Sequence, residues 1–168
     1  TMANGLPYSI GVAAAYPGRQ VVCVVGDGGL SMLMAELATL VKYKMRVAVV
    51  VVKNNVLGQI KWEQMILEGN PEFGVELHPI DFEKIAEACG ARGFTIERPE
   101  EAETTLRKAL ADPGPVLIQA VVDPNEPPMP GKVTTEQAYK FAKSLFRGQR
   151  DAAKIIETIA EDQLREVI

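Results

Sequence analysis

Short apolar runs alternate with stretches of helical periodicity along most of the chain. Residues 21–25 and 47–52 are rich in β-branched side chains and lack polar alternation, a pattern typical of strands buried on both faces of a sheet. Residues 94–96 and 116–122 are two further predicted strands.

Helical patterns fill the intervals between these strands. In residues 31–43 the apolar positions recur at helical spacing. Asp81 is a suitable N-cap for a helix that Gly90 ends, and a helix beginning at Pro99 is expected to end before Asp112. The order of strands and helices predicts an α/β fold, a three-layer α/β/α arrangement around a parallel sheet.

The clearest boundary is a proline-rich stretch at residues 124–131, which is typical of an extended linker. It separates a predicted α/β domain over residues 1–123 from a C-terminal helical tail over residues 132–168. The last predicted helix has an acidic face, which disfavours anionic lipid. We therefore expect it to pack on its own domain or on a partner, with peripheral membrane contact as the alternative.

Composition narrows the class of protein. Of the 168 residues, 47% are apolar and 24% are charged, as in a packed soluble domain. The formal net charge is −4, and the lack of a basic excess disfavours a nucleic-acid partner. No apolar run reaches the roughly 18 residues that a membrane span needs. Cys23 and Cys89 lie in apolar stretches, which favours reduced thiols and a cytoplasmic location.

The residues Gly26, Asp27, Gly28 and Gly29 stand directly between the first predicted strand and the next helix. Ligands bind to open α/β sheets at this end of a strand, and glycines let backbone N–H groups approach a phosphate. Because Asp27 would repel a bare phosphate, it suggests a divalent cation between the two. Taken alone, a strand-to-helix turn of this composition is common and more often has only a structural role.

The second predicted strand strengthens the functional interpretation. It is followed by Lys53, Asn54 and Asn55, and neighbouring parallel strands would bring Asp27 and Asn54 to one edge of the sheet. A carboxylate, an amide oxygen and a backbone carbonyl, completed by phosphate oxygens, suit Mg²⁺. No His or Cys stands nearby in the sequence, which argues against zinc. The two strand ends together predict a metal–diphosphate site.

The chain resembles the thiamine-diphosphate enzymes, whose signature is Gly-Asp-Gly followed, after a spacer, by Asn-Asn. Asp27 and Asn54 are 27 positions apart, the usual separation of the two side-chain metal ligands in that family. The resemblance covers about residues 1–131. It identifies the α/β domain as the C-terminal, diphosphate-binding domain, most similar to those of pyruvate oxidases and quinone-linked pyruvate dehydrogenases.

The resemblance also implies a set of binding residues. Asp27 and Asn54 would bind Mg²⁺ through their side chains and Val56 through its carbonyl, and a slip of one residue would exchange Asn54 with Asn55. Met2 matches the bulky residue that bends the cofactor, with simple core packing as the alternative. The residues implied to contact the cofactor are Thr1, Met2, Asp27, Gly28, Gly29, Asn54, Asn55, Val56, Leu57, Gly58, Gln59 and Ile60, among which Gly28 and Gly29 would hold the diphosphate.

Two catalytic side chains are implied on the helix that follows Gly58. Ile60 and Glu63 match positions that face the reaction centre in the oxidases, and Glu63 would manage charge or protons of the substrate adduct. The alternative for Glu63 is a solvated surface acid. Gln59 departs from the oxidases, which commonly have an aromatic residue there, and Trp62 is one position away from the Trp of acetolactate synthases.

By resemblance, the whole enzyme oxidatively decarboxylates pyruvate with thiamine diphosphate, Mg²⁺ and FAD, the FAD being bound outside this domain. The alternatives are an acetolactate-synthase-type carboligase and a non-catalytic cofactor-binding module. Because the chain starts at Thr1 without a methionine, we expect a fragment. Its partner would be the pyrimidine-binding domain of another subunit in a homodimer or homotetramer, and we expect negligible turnover from this chain alone.

Overall fold

The computed structural model describes residues 2–127 and 134–165, with side chains of the last helix described through residue 161. In chain order its elements are a 3₁₀ turn (Met2–Asn4), α1 (Gly5–Ala15), β1 (Val21–Gly26), α2 (Asp27–Ser31), a second 3₁₀ turn (Met34–Glu36), α3 (Leu37–Lys42), β2 (Val47–Lys53), α4 (Gly58–Glu63), a π-helical turn (Gln64–Glu68), α5 (Phe82–Cys89), β3 (Arg92–Ile96), α6 (Pro99–Leu110), β4 (Val116–Val121), α7 (Thr135–Phe146) and α8 (Ala152–Arg165).

The chain divides into two compact units. The first comprises Thr1–Asn55 and Pro79–Val122, and the second comprises Val56–His78 and Asp123–Ile168. The residues from 56 to 78 thus group with the helices of the tail. The division at a proline-rich linker over residues 124–131, part of which lies outside the described residues, stays a prediction.

A parallel sheet in the order β1-β2-β4-β3 forms the centre of the first unit. On one face, side chains of α1, α2, α3 and α5 pack with β1, β2 and β4 around Leu40, Val49 and Leu117. On the other face, α6 packs on β3 and β4 around Ala109 and Ile118. The predicted three-layer α/β/α fold and its four strands are therefore confirmed.

The expectation that β1 is buried on both faces is wrong. Val22 and Val24 are 51% and 68% exposed, although the neighbouring Val21, Cys23 and Val25 are buried. The cause is the position of β1 at the edge of the sheet, because the helix that covers this face, α6, packs on β3 and β4. The all-apolar run therefore has one face in the core and one face exposed.

The helix predicted over residues 31–43 is broken into shorter pieces. The glycine-containing turn itself is helical and forms α2, and Leu33 leaves helical geometry with φ −137° and ψ 28°. The predicted limits of α5 are confirmed, since the Asp81 side chain accepts the Lys84 N–H at 3.1 Å and Gly90 ends the helix with φ 89°.

The second unit is helical and has its own apolar cluster. Trp62, Met65, Ile66 and Ile155 are buried together, and Phe141 packs against them. The Trp62 and Phe141 rings stack with their centroids 6.1 Å apart. Helices α7 and α8 lie in the stretch predicted as a helical tail, and α8 packs within this unit through Ile155. None of the helices in the described part of the chain is long and apolar enough to cross a membrane.

Candidate functional site

Asp27 is a buried acidic residue of the first unit. It follows β1 directly and is 6% exposed. Its Oδ1 accepts the Gly28 N–H at 2.8 Å, and its Oδ2 accepts the N–H groups of Asn54 at 3.1 Å and Asn55 at 2.6 Å. Because β1 and β2 run parallel in register, with Gly26 opposite Val52, their carboxyl ends meet at one edge of the sheet. The carboxylate therefore ties the two strand ends together.

The geometry at the end of β2 depends on Asn55. Its φ of 57° lies in the left-handed region, which asparagine tolerates better than most non-glycine residues. Successive N–H groups, those of Asn54 and Asn55, converge on Asp27 Oδ2. Such a pair of backbone donors is a favourable environment for an anion. Sequence reasoning considered only the side chains of these asparagines and missed the role of their backbone.

The hydrogen bonds to Asp27 leave room for a cation. An ionised carboxylate offers about four lone-pair positions, and three of them are used by the N–H donors of Gly28, Asn54 and Asn55. In the described residues no three His, Cys, Asp or Glu side chains form a metal-binding group. A metal at Asp27 would therefore need amide or carbonyl oxygens as its other protein ligands. This donor set fits Mg²⁺.

The two predicted phosphate-binding glycines lie in different surroundings. Gly28 is buried and its N–H is already directed at Asp27. At Gly29 a Cβ atom would lie 2.8 Å from the Met2 carbonyl oxygen and 3.1 Å from Val25 Cγ2. Met2 itself is 44% exposed, so the alternative of core packing does not describe it. Thr1 lies outside the described residues.

The other predicted site residues belong to the second unit. The Val56 carbonyl accepts the Gly58 N–H at 2.9 Å, and the Leu57 N–H donates to the Val75 carbonyl at 2.8 Å. These bonds shape the turn from which α4 begins. The assignment of the Val56 carbonyl to a metal stays a prediction.

Helix α4 carries both predicted catalytic side chains on its exposed side. Ile60 and Glu63 are exposed, and Gln59 Nε2 donates to Glu63 Oε1 at 3.1 Å. Gln59 is thus in contact with the carboxylate whose function the resemblance implies. The catalytic roles of Ile60 and Glu63 stay predictions.

Sequence reasoning missed the buried side of α4. Lys61 is 2% exposed, and its Nζ donates to Asn125 Oδ1 at 2.9 Å and to the Pro124 carbonyl at 3.2 Å. The same Nζ lies 3.2 Å from Glu72 Oε2, in an ion pair that is not a well-directed hydrogen bond. The lysine therefore anchors α4 to the segment that precedes α7. No pattern in the sequence around position 61 predicts a buried cation.

A second cation extends this network. Arg150, in the turn between α7 and α8, pairs with Glu72 at 3.1 Å and with Glu76. The hydrogen bond to Glu76 and the charge of Glu72 raise the pKa of Arg150, so it stays charged. The Glu72 carboxylate is thus shared between a buried lysine and a partly exposed arginine.

Residues 1–120 match the family described as thiamine pyrophosphate enzyme, C-terminal TPP binding domain. The chain is 40% identical over 147 residues to "Putative thiamine pyrophosphate-containing protein YdaP" of Bacillus subtilis, a match that covers 88% of the chain and 25% of that protein. It is 38% identical to pyruvate oxidase of Lactiplantibacillus plantarum, in a match that covers 86% of the chain and 24% of that protein. It is 41% identical to acetolactate synthase isozyme 3 large subunit of Escherichia coli, in a match that covers 66% of the chain and 19% of that protein.

A solved structure shows the same fold. The Rhodococcus jostii RHA1 thiamine diphosphate-dependent 4-hydroxybenzoylformate decarboxylase matches 73% of the chain with a TM-score of 0.68 and 30% sequence identity, and the match covers 23% of that protein. The match to the B. subtilis relative covers 25% of that protein, so the chain spans about a quarter of its length.

Proposed function

This chain belongs to the family of C-terminal TPP-binding domains of thiamine pyrophosphate enzymes, and we propose that it holds the cofactor's diphosphate through Mg²⁺ bound by Asp27, Asn54 and the Val56 carbonyl. The observation that supports the proposal is how the Asp27 carboxylate is buried and hydrogen-bonded. Its buried carboxylate joins the ends of β1 and β2 and retains one acceptor position beyond its three N–H donors. A divalent cation at that position would compensate a buried negative charge, which is costly without a partner.

When bound, thiamine diphosphate supplies the electron sink for cleavage of the bond beside a keto carbon. The residues of this chain bind and orient it. The backbone N–H groups of Asn54 and Asn55 hold the Asp27 carboxylate in place. The exposed Met2 side chain is available to the organic part of the cofactor. Glu63, to which Gln59 donates, is an exposed carboxylate suited to proton transfer.

We further propose that the whole enzyme oxidatively decarboxylates pyruvate. The support is the extent of the matches, since the match to pyruvate oxidase covers 86% of the chain, whereas those to acetolactate synthases cover 66% to 75% at similar identity. FAD would then be bound by another part of the enzyme. A pyrimidine-binding domain from another subunit of a homo-oligomer would complete the site.

An acetolactate-synthase-type carboligase is the second candidate. It is favoured by the 41% identity to the E. coli isozyme, against 38% to the pyruvate oxidase. Assays of the full-length enzyme with pyruvate separate the two candidates. The proposal expects acetate or acetyl phosphate formation coupled to an electron acceptor, and acetolactate as the main product would contradict it. The 168-residue chain alone should show negligible turnover.

Calorimetry tests the binding proposal directly. Titration of the chain with thiamine diphosphate in the presence of Mg²⁺ should give saturable binding that needs the metal. Asp27→Ala should weaken that binding by at least about tenfold, equivalent to 1.4 kcal/mol. Glu100→Ala, which removes an exposed acid from α6, is the matched control and should bind as the wild type does. Absence of binding by the wild-type chain would contradict the proposal.

A further inference from the structure

Helix α4 exposes the carboxylate of Glu63 on one side and buries Lys61 on the other. Successive helical residues are rotated by about 100° around the axis, so the two side chains point in nearly opposite directions. We propose that Lys61 is a positioning residue for Glu63, and that the tail of the chain supplies the contacts through which it acts. The inference rests on the proposed function, because it concerns the acid proposed for proton transfer.

Helix α4 is too short to fix its own orientation. It spans only Gly58–Glu63 and passes directly into the π-helical turn Gln64–Glu68, and helices of this length are marginal without tertiary contacts. Trp62 provides an apolar contact by stacking on Phe141, but the burial of apolar surface is not directional. Hydrogen bonds are directional, so the polar contacts of the helix determine its rotation.

Two of the polar contacts of Lys61 come from the segment that follows β4. Its Nζ donates to Asn125 Oδ1 at 2.9 Å and to the Pro124 carbonyl at 3.2 Å. The Asn125 N–H donates to Asp123 Oδ1 at 2.8 Å, which fixes the turn that carries both acceptors. The family match ends at residue 120, so these acceptors lie beyond the part of the chain that the family description covers.

The third partner of Lys61 is also held by the tail. Glu72 Oε2 lies 3.2 Å from Lys61 Nζ, and Glu72 Oε1 lies 3.1 Å from the Arg150 guanidinium. The Glu72 N–H donates to Oε1 of the buried Gln149 at 2.8 Å. The tail therefore fixes Lys61 directly, through the segment after β4, and indirectly, through Glu72.

Replacing one acceptor tests the inference with less damage to the fold than replacing Lys61. We expect Asn125→Leu in the full-length enzyme to lower kcat with pyruvate about tenfold, while KM and the affinity for Mg²⁺ with thiamine diphosphate change less than about twofold. Asn125→Asp keeps an acceptor for the lysine and should restore kcat to within about twofold of the wild type. Ile155→Val, which trims the apolar cluster of the same unit, is the matched control and should retain kcat.

A double variant shows whether the effect passes through Glu63. Asn125→Leu combined with Glu63→Gln should lose no more activity than Glu63→Gln alone, because both changes remove the same function. Additive losses would overturn the inference, as would an unchanged kcat in Asn125→Leu or an equal loss in Ile155→Val. Full activity of Glu63→Gln would instead contradict the role proposed for Glu63 itself.

Hydrogen exchange in the 168-residue chain provides a readout that needs no turnover. The N–H groups of Lys61 and Gln64 are bonded to carbonyl groups of α4 and the residue before it. Asn125→Leu should speed the exchange of these two amides at least about fivefold relative to the amides of β4, and Ile155→Val should not. Arg150→Met, at a partly exposed partner of Glu72, should act in the same direction if Asn125→Leu does not fold. Unchanged exchange at both amides would overturn the inference.

Discussion

Asp27 in the first unit and Lys61 in the second are both buried ionisable side chains, and their surroundings satisfy them differently. Lys61 in the second unit has three N–H donors, and it faces three oxygens, those of Asn125, Pro124 and Glu72. Asp27 in the first unit has about four acceptor positions and three N–H donors around it. Oxygens of its own unit surround the lysine, two as hydrogen-bond acceptors and one as an ion-pair partner, whereas the aspartate retains capacity for a further partner. Counting donors and acceptors thus separates a structural charge from a candidate ligand.

The largest effect on stability is expected at Lys61. Lys61→Met should lower the free energy of unfolding by about 3–5 kcal/mol, because it leaves the buried Glu72 without one partner of its pair. Urea unfolding followed by circular dichroism measures the change. Lys154→Met is the matched control, since Lys154 pairs with Asp123 while 57% exposed, and it should cost less than about 1 kcal/mol. Equal costs for the two variants would contradict a structural role for Lys61.

Replacement of Asp27 should lower both the free energy of unfolding and the affinity for the cofactor. Asp27→Ala removes the acceptor of the Gly28, Asn54 and Asn55 N–H groups and should cost about 2–3 kcal/mol. Thermal unfolding with and without ligand distinguishes Asp27→Ala from Lys61→Met. Mg²⁺ with thiamine diphosphate should stabilise both the wild type and Lys61→Met, by about 2.7 kcal/mol at a ligand concentration 100 times Kd. The same ligands should not stabilise Asp27→Ala. Stabilisation of Asp27→Ala to the wild-type extent would remove the aspartate from the site.

The two faces of the sheet provide a smaller comparison within the first unit. Val49 on β2 is fully buried, whereas Val24 on β1 is exposed. Val49→Ala should cost about 2 kcal/mol from lost burial and the cavity that remains. Val24→Ala should cost less than about 0.5 kcal/mol. Chemical denaturation checks both values, and a large cost for Val24→Ala would show that a contact covers this face in solution.

The smallest effect concerns pH. The side-chain hydrogen bond from Lys84, together with the Lys84 N–H, lowers the pKa of Asp81 at the start of α5. A lowered pKa in the folded state stabilises the protein at pH values above the pKa of the unfolded state, about 3.9. This stability is lost as the pH falls through the pKa of the folded state. Asp81→Asn should therefore be less stable than the wild type at pH 6 and approach it below pH 4. A loss of stability in Asp81→Asn that stays the same at every pH would contradict this account of the Asp81 cap.

Much of the first unit could be predicted from local sequence. The apolar runs located the strands, and the pairing of parallel strands implied that Asp27 and Asn54 lie at one edge of the sheet, as they do. The caps of α5 followed from Asp81 and Gly90. These features depend on neighbours in the sequence and on the regular geometry of strands and helices.

The remaining features depend on contacts between distant residues. The exposure of Val22 and Val24 depends on where α6 packs, which the apolar run cannot show. The burial of Lys61 depends on Asn125, 64 positions later in the chain. The backbone role of Asn55 depends on its left-handed conformation, since the residue type alone also suits a side-chain ligand.

The measurement that tests the central claim most directly is the location of a bound metal. Mn²⁺ with thiamine diphosphate, added to isotope-labelled chain, broadens the NMR signals of amides near the ion. We predict strong broadening at Asp27, Gly28 and Asn54, and none in Asp27→Ala. Broadening confined to the exposed acids of α6, such as Glu100 and Glu103, or no selective broadening at all, would contradict the claim that the joined ends of β1 and β2 hold the metal.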